Sequence, residues 1–210
     1  MEKSEIITLY TDYLLEEGKA PINVYKFCKS IEIDESEFYK HFASFESIDK
    51  EVFIHFYHET IRVLEKSEDF NSFEPKDKLL SFYYTYFENL TANRSLIILL
   101  LSDKNPMVGL QRLSGLKKLF VNFVDSLNIS TTQLLISGIA DLQTKGIQET
   151  IWGQFLTIIK YWMKDESASF EKTDIFIEKS TSLGFELLNN SQLESIIDLG
   201  KFILKDKLKI

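Results

Sequence analysis

The sequence predicts an all-α protein, and three observations carry that expectation. Apolar residues recur at helical spacing along almost the whole chain. Eight glycines and three prolines in 210 residues, about half the usual share, leave too few turn-formers for a sandwich or barrel. No strand-type alternation persists beyond a few residues. At 44% hydrophobic residues the chain can fill a sizeable core, which excludes a disordered protein.

The elements follow in order. Ile6, Tyr10, Tyr13 and Leu14 mark one face of a first helix that stops near Gly18. Pro21 leads into a short helix around Val24, Phe27, Cys28 and Ile31, at about 23–31. Asp34, with Glu37 three residues on, has the form of an N-cap and capping box for a third short helix at about 35–41. Ile48, Val52, Phe56, Thr60 and Val63 stripe a longer fourth helix, about 46–67. The stretch 71–75 reads as a linker, with Pro75 in the first turn of the next helix. Further helices are expected at about 76–91, 93–103, 106–127, 130–144, 147–164, 171–190 and 191–208, with ends placed to within about two to four residues.

Two late helices have the composition of an interface. Trp152, Phe155, Leu156, Ile159, Trp162 and Met163 share one apolar face. In the next helix Phe176, Ile177, Ser180, Leu183, Gly184, Leu187 and Leu188 form a wide stripe, and small Ser180 and Gly184 permit close approach. Ile159, Trp162, Phe176, Ser180, Leu183, Gly184 and Leu187 are therefore expected in a four-helix contact of a homodimer, the competing use being the chain's own core.

Composition excludes several classes. The single cysteine, Cys28, forms neither an internal disulfide framework nor a thiolate cluster. The longest pure apolar run, 96–101, is too short to span a membrane, and the opening residues lack the basic and apolar regions of a signal peptide, so a cytoplasmic protein is expected. The net charge is −8, and residues 1–60 carry nearly all of it, with 13 acids against 6 bases.

Short helices at 23–31 and 35–41 ahead of a long one have helix-turn-helix geometry. The run Phe27-Cys28-Lys-Ser-Ile-Glu32-Ile33-Asp34-Glu-Ser-Glu-Phe38-Tyr39-Lys-His41-Phe42-Ala-Ser44 resembles, without a gap, the head of the TetR family of one-component regulators. Cys28 takes that family's small Ala position, Ile33 its Val, Asp34 its capping Ser, Phe38-Tyr39 its Leu-Tyr, and His41-Phe42 its helix-ending pair. The resemblance implies a head at 1–45, a connecting fourth helix, and a ligand-binding and dimerisation body at 46–210. It places Tyr25, Lys26, Ser36, Tyr39, Lys40 and His41 towards duplex DNA. Glu32 stands where the family has Gly, and Phe45 where it has a phosphate-contacting Lys. The reading helix carries Asp34, Glu35 and Glu37 against one lysine, and residues 1–60 contain no arginine. Phosphate neutralisation and the bidentate arginine–guanine contact are thus poorly served.

Residues 161–179, with Trp162, Asp165, Ser167, Thr173 and Phe176, are similar to the C-terminal pattern of the ubiquinone-biosynthesis accessory family that binds isoprenoid lipid. That resemblance implies a TetR-like fold that does not regulate transcription. Leu193, Ile196, Ile197, Gly200, Ile203, Leu204 and Leu208 with Lys201, Lys205, Lys207 and Lys209 make 191–210 amphipathic and basic at its end. Peripheral membrane contact or packing on the body are both open to it.

Aromatic side chains crowd the body. Phe82, Tyr83, Tyr86 and Phe87 share one helix, and Phe120, Phe123, Trp152 and Phe155 are candidates to face them. Such walls either fill a core or hold an apolar small molecule or lipid; the TetR resemblance implies a central ligand site. Glu51, His55, His58 and Glu59 have metal-ligand spacing, but no second histidine-bearing helix of the body completes a set, so a solvated face and no metal are expected. Cys28 on an apolar stripe reads as packing. Phosphate loops and nucleophile elbows are missing from the sequence, so neither an enzyme nor a cofactor is expected. The functional reading is a TetR-like regulator whose body binds an apolar molecule; the alternative is a lipid-binding protein with a vestigial acidic head that serves a membrane-associated enzyme.

Overall fold

The computed structural model describes residues 1–103, 105–129 and 140–189, the side chains of 140–144 and 189 aside. Among them there are helices and no strand. The helices are α1 (Lys3–Glu17), α2 (Val24–Ser30), α3 (Glu35–Tyr39), α4 (Phe45–Leu64), α5 (Pro75–Ala92), α6 (Arg94–Leu101), α7 (Pro106–Arg112), α8 (Ser114–Ser126), α9 (Ala140–Met163) and α10 (Glu171–Asn189). The expected helix at 191–208 lies outside the described residues.

Local chemistry sets the boundaries. Gly18 ends α1 in the left-handed region at φ 66°, its N–H donating to the Leu14 carbonyl at 2.9 Å. Asn23 caps α2 by accepting from the Lys26 N–H at 2.8 Å. Asp34 does stand at the N-cap of α3, but its side chain makes no capping bond. Glu37, expected to complete a capping box, turns to Lys40 at 2.6 Å instead. The stripe of α4 is Ile48, Val52, Phe56, Thr60 and Leu64; Val63, expected on it, is 47% exposed.

Two longer segments differ from expectation. The stretch 106–127 is two helices, because the chain turns at Leu113 and starts again at Ser114. Gly115 lies at that restart, where an added Cβ would stand 2.7 Å from Ile54 Cδ1, so α8 approaches α4 too closely for any side chain to fit without displacing Ile54. Conversely, α9 runs unbroken through Gly146, where a break was expected. An isolated glycine costs a helix only about 1 kcal/mol, which the apolar face of α9 readily offsets.

The chain falls into two compact units. The first comprises Met1–Asn71 and Ser81–Phe123, the second Ser72–Leu80 and Val124–Ile210. The first unit thus holds α1 to α4, most of α5, α6, α7 and α8 as far as Phe123. Within the first unit α1 packs on α4 and α6, α2 on α3, and α7 on α4 and α6.

In that unit a buried polar network joins four of these helices. Tyr10 of α1 donates its hydroxyl to Asp49 Oδ1 of α4 at 2.9 Å. Arg112 of α7 donates Nε–H to Asp49 Oδ2 at 2.7 Å and its NH1 to the Leu100 carbonyl of α6 at 2.6 Å. Asp49 is 2% exposed. Burial pushes its carboxyl up, while Arg112 and the Tyr10 hydroxyl oppose that shift.

In the second unit α9 and α10 pack together. Ile151, Trp152, Phe155, Ile158, Ile159 and Trp162 are the buried residues of α9, and Thr173, Ile177 and Thr181 those of α10. Asp165 organises the turn between them. Its Oδ1 accepts from the Ser167 N–H and hydroxyl at 2.8 and 2.6 Å, its Oδ2 from the Thr173 N–H and hydroxyl at 2.9 and 2.7 Å. Desolvation works to raise this carboxyl, but the four donors win and hold it well below the usual carboxylate range. Because the folded value lies below the unfolded one, the stabilisation is complete above the unfolded value of about 4 and is lost as the pH falls towards the folded value. The urea-midpoint gap between the wild-type chain and Asp165→Asn should therefore be widest at neutral pH and close progressively in acid. A gap that does not vary with pH would contradict this assignment.

Candidate functional site

The head is built around an aromatic cluster. Phe27 and Phe38 are fully buried, and Phe45 lies between them, 5.6 and 5.8 Å from their ring centres. Phe45 also stacks on Tyr10 at 5.2 Å and 9°. The residue at the position of a phosphate-contacting lysine is therefore part of the packing that fixes α2 and α3 against α1 and α4. The turn between α2 and α3 is closed by the Ile33 N–H donating to the Cys28 carbonyl at 3.0 Å. Glu32 within it adopts φ 57°. The sequence thus retains the backbone conformation that glycine serves in the family, with a residue that is strained in it.

The residues expected to meet DNA fall into two groups. Tyr25 and Tyr39 are 58% and 53% exposed, and Lys26 and Ser36 are also exposed. Lys40 is exposed but ion-paired to Glu37, and the half-buried His41 lies 3.1 Å from the Met1 carbonyl through Nε2. Glu37 is held below its usual value first by the hydrogen bond from Lys40. The one lysine of the reading helix is thus already compensated. Cys28 is buried, and desolvation followed by the charge of Glu35 raises its thiol. Of the histidine-bearing face of α4, Glu51 pairs with Lys3 at 2.9 Å, Glu59 pairs with Arg62, and His55 and His58 are exposed.

Six of the eight expected ligand-contacting aromatics come together in the first unit. Phe82 is the centre: Tyr86, Phe120 and Phe123 lie 5.6, 5.3 and 4.8 Å from it, Tyr83 stacks on Phe120 at 6.0 Å, and Phe87 meets Tyr86 edge-on at 6.2 Å. Tyr57 of α4, which sequence reasoning missed, joins Phe82 at 5.8 Å. Polar groups flank the rings: Asn89 donates to Thr60 Oγ1 at 3.2 Å, and the Tyr86 hydroxyl reaches the Phe53 carbonyl at 3.5 Å. Burial raises both Tyr83 and Tyr86 well above an ordinary phenol. Trp152 and Phe155 stack on each other at 5.2 Å in the second unit.

The expected dimer residues separate by exposure. Ile159 and Trp162 are 4% and 0% exposed within the chain, on the helix against which α10 packs. Leu183 and Leu187 are 56% and 41% exposed one turn apart, and Phe176, Ser180 and Gly184 are half-buried. Phe176 stacks on Tyr161 at 4.6 Å, while Ser180 accepts from Gln154 at 3.0 Å. Trp162, Asp165, Ser167 and Thr173, which carried the lipid-protein resemblance, are accounted for by this turn and the core beneath it.

A three-helix head with a helix-turn-helix, continuous through α4 with a bundle of helices, defines the class of helix-turn-helix proteins with a helical body. Residues 78–203 match the family model described as tetracyclin repressor-like, C-terminal domain. The chain belongs to that TetR-like family. A solved structure, the fatty acid degradation regulator FadR from Bacillus halodurans, is similar at 16% identity, with a TM-score of 0.51 over 89% of this chain and 97% of that one; at this identity the likeness shows the fold. No curated protein matches the chain. No described helix is long and apolar enough to cross a membrane.

The two departures in the head give opposite stability effects. Glu32→Gly should raise stability by up to about 1 kcal/mol, the release of left-handed strain less the entropy that glycine adds to the unfolded chain. Phe45→Lys, which restores the family's residue type, should cost about 2 kcal/mol by opening the aromatic cluster. Urea unfolding reads both, and a Phe45→Lys chain as stable as wild type would show that the ring is dispensable.

Proposed function

We propose that the protein is a ligand-responsive, non-enzymatic transcription regulator of the TetR type, a homodimer that binds duplex DNA through Tyr25, Lys26, Ser36 and Tyr39. The observation that carries the reading is the complete helix-turn-helix, down to a left-handed turn residue at Glu32 that a merely decaying head would have no reason to keep. Family membership and the FadR-like fold support it. Exposed Leu183 and Leu187 favour pairing of α10 with a second copy. The Phe82-centred rings with their phenol hydroxyls suit an apolar small molecule or lipid whose one polar end is fixed by hydrogen bonds.

One observation favours the alternative, an acidic head that has left DNA. Lys40 is compensated by Glu37, and the charge of the first sixty residues is strongly negative. Under that reading the body carries a lipid for a membrane-associated enzyme, with residues 191–210, outside the described set, as the membrane contact.

A duplex-binding titration at low and physiological salt separates the two, using the DNA upstream of the protein's own coding sequence and an unrelated control. The regulator reading expects binding that prefers the upstream DNA and weakens with salt. It also expects Glu37→Gln, which frees Lys40, to tighten binding and steepen the log–log salt dependence by about one. Light scattering at the same concentration should give twice the chain mass, and Leu183→Glu half of it. The absence of binding at low salt, with or without Glu37→Gln, would leave the lipid-binding reading.

A further inference from the structure

We infer that Tyr10, Asp49 and Arg112 form a latch that sets the orientation of the helix-turn-helix, with Arg112 as its positioning residue. Tyr10 and Asp49 are 39 positions apart, Asp49 and Arg112 63 apart, so the network closes long loops. It joins the first helix of the head to α4, α6 and α7.

Stability alone does not account for such a network. A buried ion pair contributes little more than well-packed apolar residues of the same volume, and apolar neighbours are at hand. What hydrogen bonds add is direction. Tyr10 also makes ring contacts, with Phe45 at 5.2 Å and with Phe27 at 5.9 Å. Such contacts favour stacked and edge-on arrangements but tolerate small tilts that a directional hydrogen bond does not. The Asp49 carboxylate accepts on both oxygens, from Tyr10 on one and from Arg112 on the other, which ties α1 to α7 through a single side chain.

Arg112 is anchored in turn. Its NH1 satisfies the Leu100 carbonyl in the last turn of α6, a group without a partner inside its own helix. The guanidinium therefore holds the Asp49 carboxylate in place, and a tilt of α1 breaks its bond to Tyr10. By contrast, the tie between Lys3 of α1 and Glu51 of α4 joins an exposed lysine to a half-buried glutamate and holds little.

The test is a distance distribution between spin labels on the exposed lysines of α2 and α8, Lys26→Cys and Lys118→Cys, in the full-length Cys28→Ala protein. The intact latch should give one narrow distribution. Tyr10→Phe, which keeps the ring and removes only the hydroxyl, and Arg112→Gln should each add a second population while the chain stays folded by circular dichroism. Arg112→Lys, which keeps the charge but loses the fork that reaches both Asp49 and Leu100, should fall between them and wild type. A merely structural network would lower the melting temperature and leave the distribution narrow, and that result in Tyr10→Phe overturns the latch. The consequence for DNA rests on the regulator reading: the same variants should bind the upstream duplex about tenfold more weakly. A wild-type chain that binds no duplex refutes that reading and leaves the distance result to decide the latch.

Discussion

One buried carboxylate organises the first unit. Asp49 sits in the second turn of α4 with almost no access to water, and it is tolerable there because two donors arrive from elements far away in sequence. Taking away Arg112 leaves a buried carboxylate with only the Tyr10 hydroxyl to offset its desolvation, a loss of about 3 kcal/mol. The chain must therefore bring α1, α4 and α7 together in one arrangement for the core to close. The aromatic cluster of Phe27, Phe38 and Phe45 then packs around a frame that polar geometry has already set. Head and connecting helix lie in one compact unit.

This frame explains how the head departs from its family pattern while keeping the family fold. Phe45 replaces a residue aimed at phosphate with one aimed inward, so packing gains what the DNA face gives up. Glu32 keeps the left-handed turn at an energetic cost. The pairing of Lys40 with Glu37 removes the remaining positive charge of the reading helix. Phe45 and the pairing of Lys40 move the head away from strong non-specific attraction to nucleic acid, whereas Glu32 lowers its stability. Regulation with such a head would depend on shape and on the exposed Tyr25 and Tyr39 more than on charge.

Much of the fold could be read from periodicity. Ile6, Tyr10 and Leu14, then Ile48, Val52, Phe56 and Thr60, announce α1 and α4 at helical spacing, and Gly18 marks a real stop. Periodicity failed where a local signal competed with tertiary packing. Gly146 looked like a break but lies inside α9, and Leu113 looked like helix interior but ends α7, since the close approach of Gly115 to Ile54 is invisible in one dimension. Helical spacing also cannot say whether an apolar face packs within its own chain or against a partner; Trp162 and Ile159 are buried within the chain. The Asp49–Arg112 pair was illegible for a related reason. Single charges on apolar stripes look like ordinary solvated residues until the fold brings them together. A buried aspartate at a core position of α4, in register with Ile48 and Val52, was the one signal that could have found it.

The central claim is that the head and α4 to α8 open only together. Native-state hydrogen exchange of the full-length protein tests it most directly, by comparing the backbone amides of Tyr10 and Phe27 with those of Phe56 and Phe120 across sub-denaturing urea. The account predicts that all four exchange through the same global opening, with equal free energies and equal urea dependence. Exchange of Tyr10 and Phe27 through a smaller opening, while Phe56 and Phe120 stay protected, would contradict it and make the head a separately hinged piece.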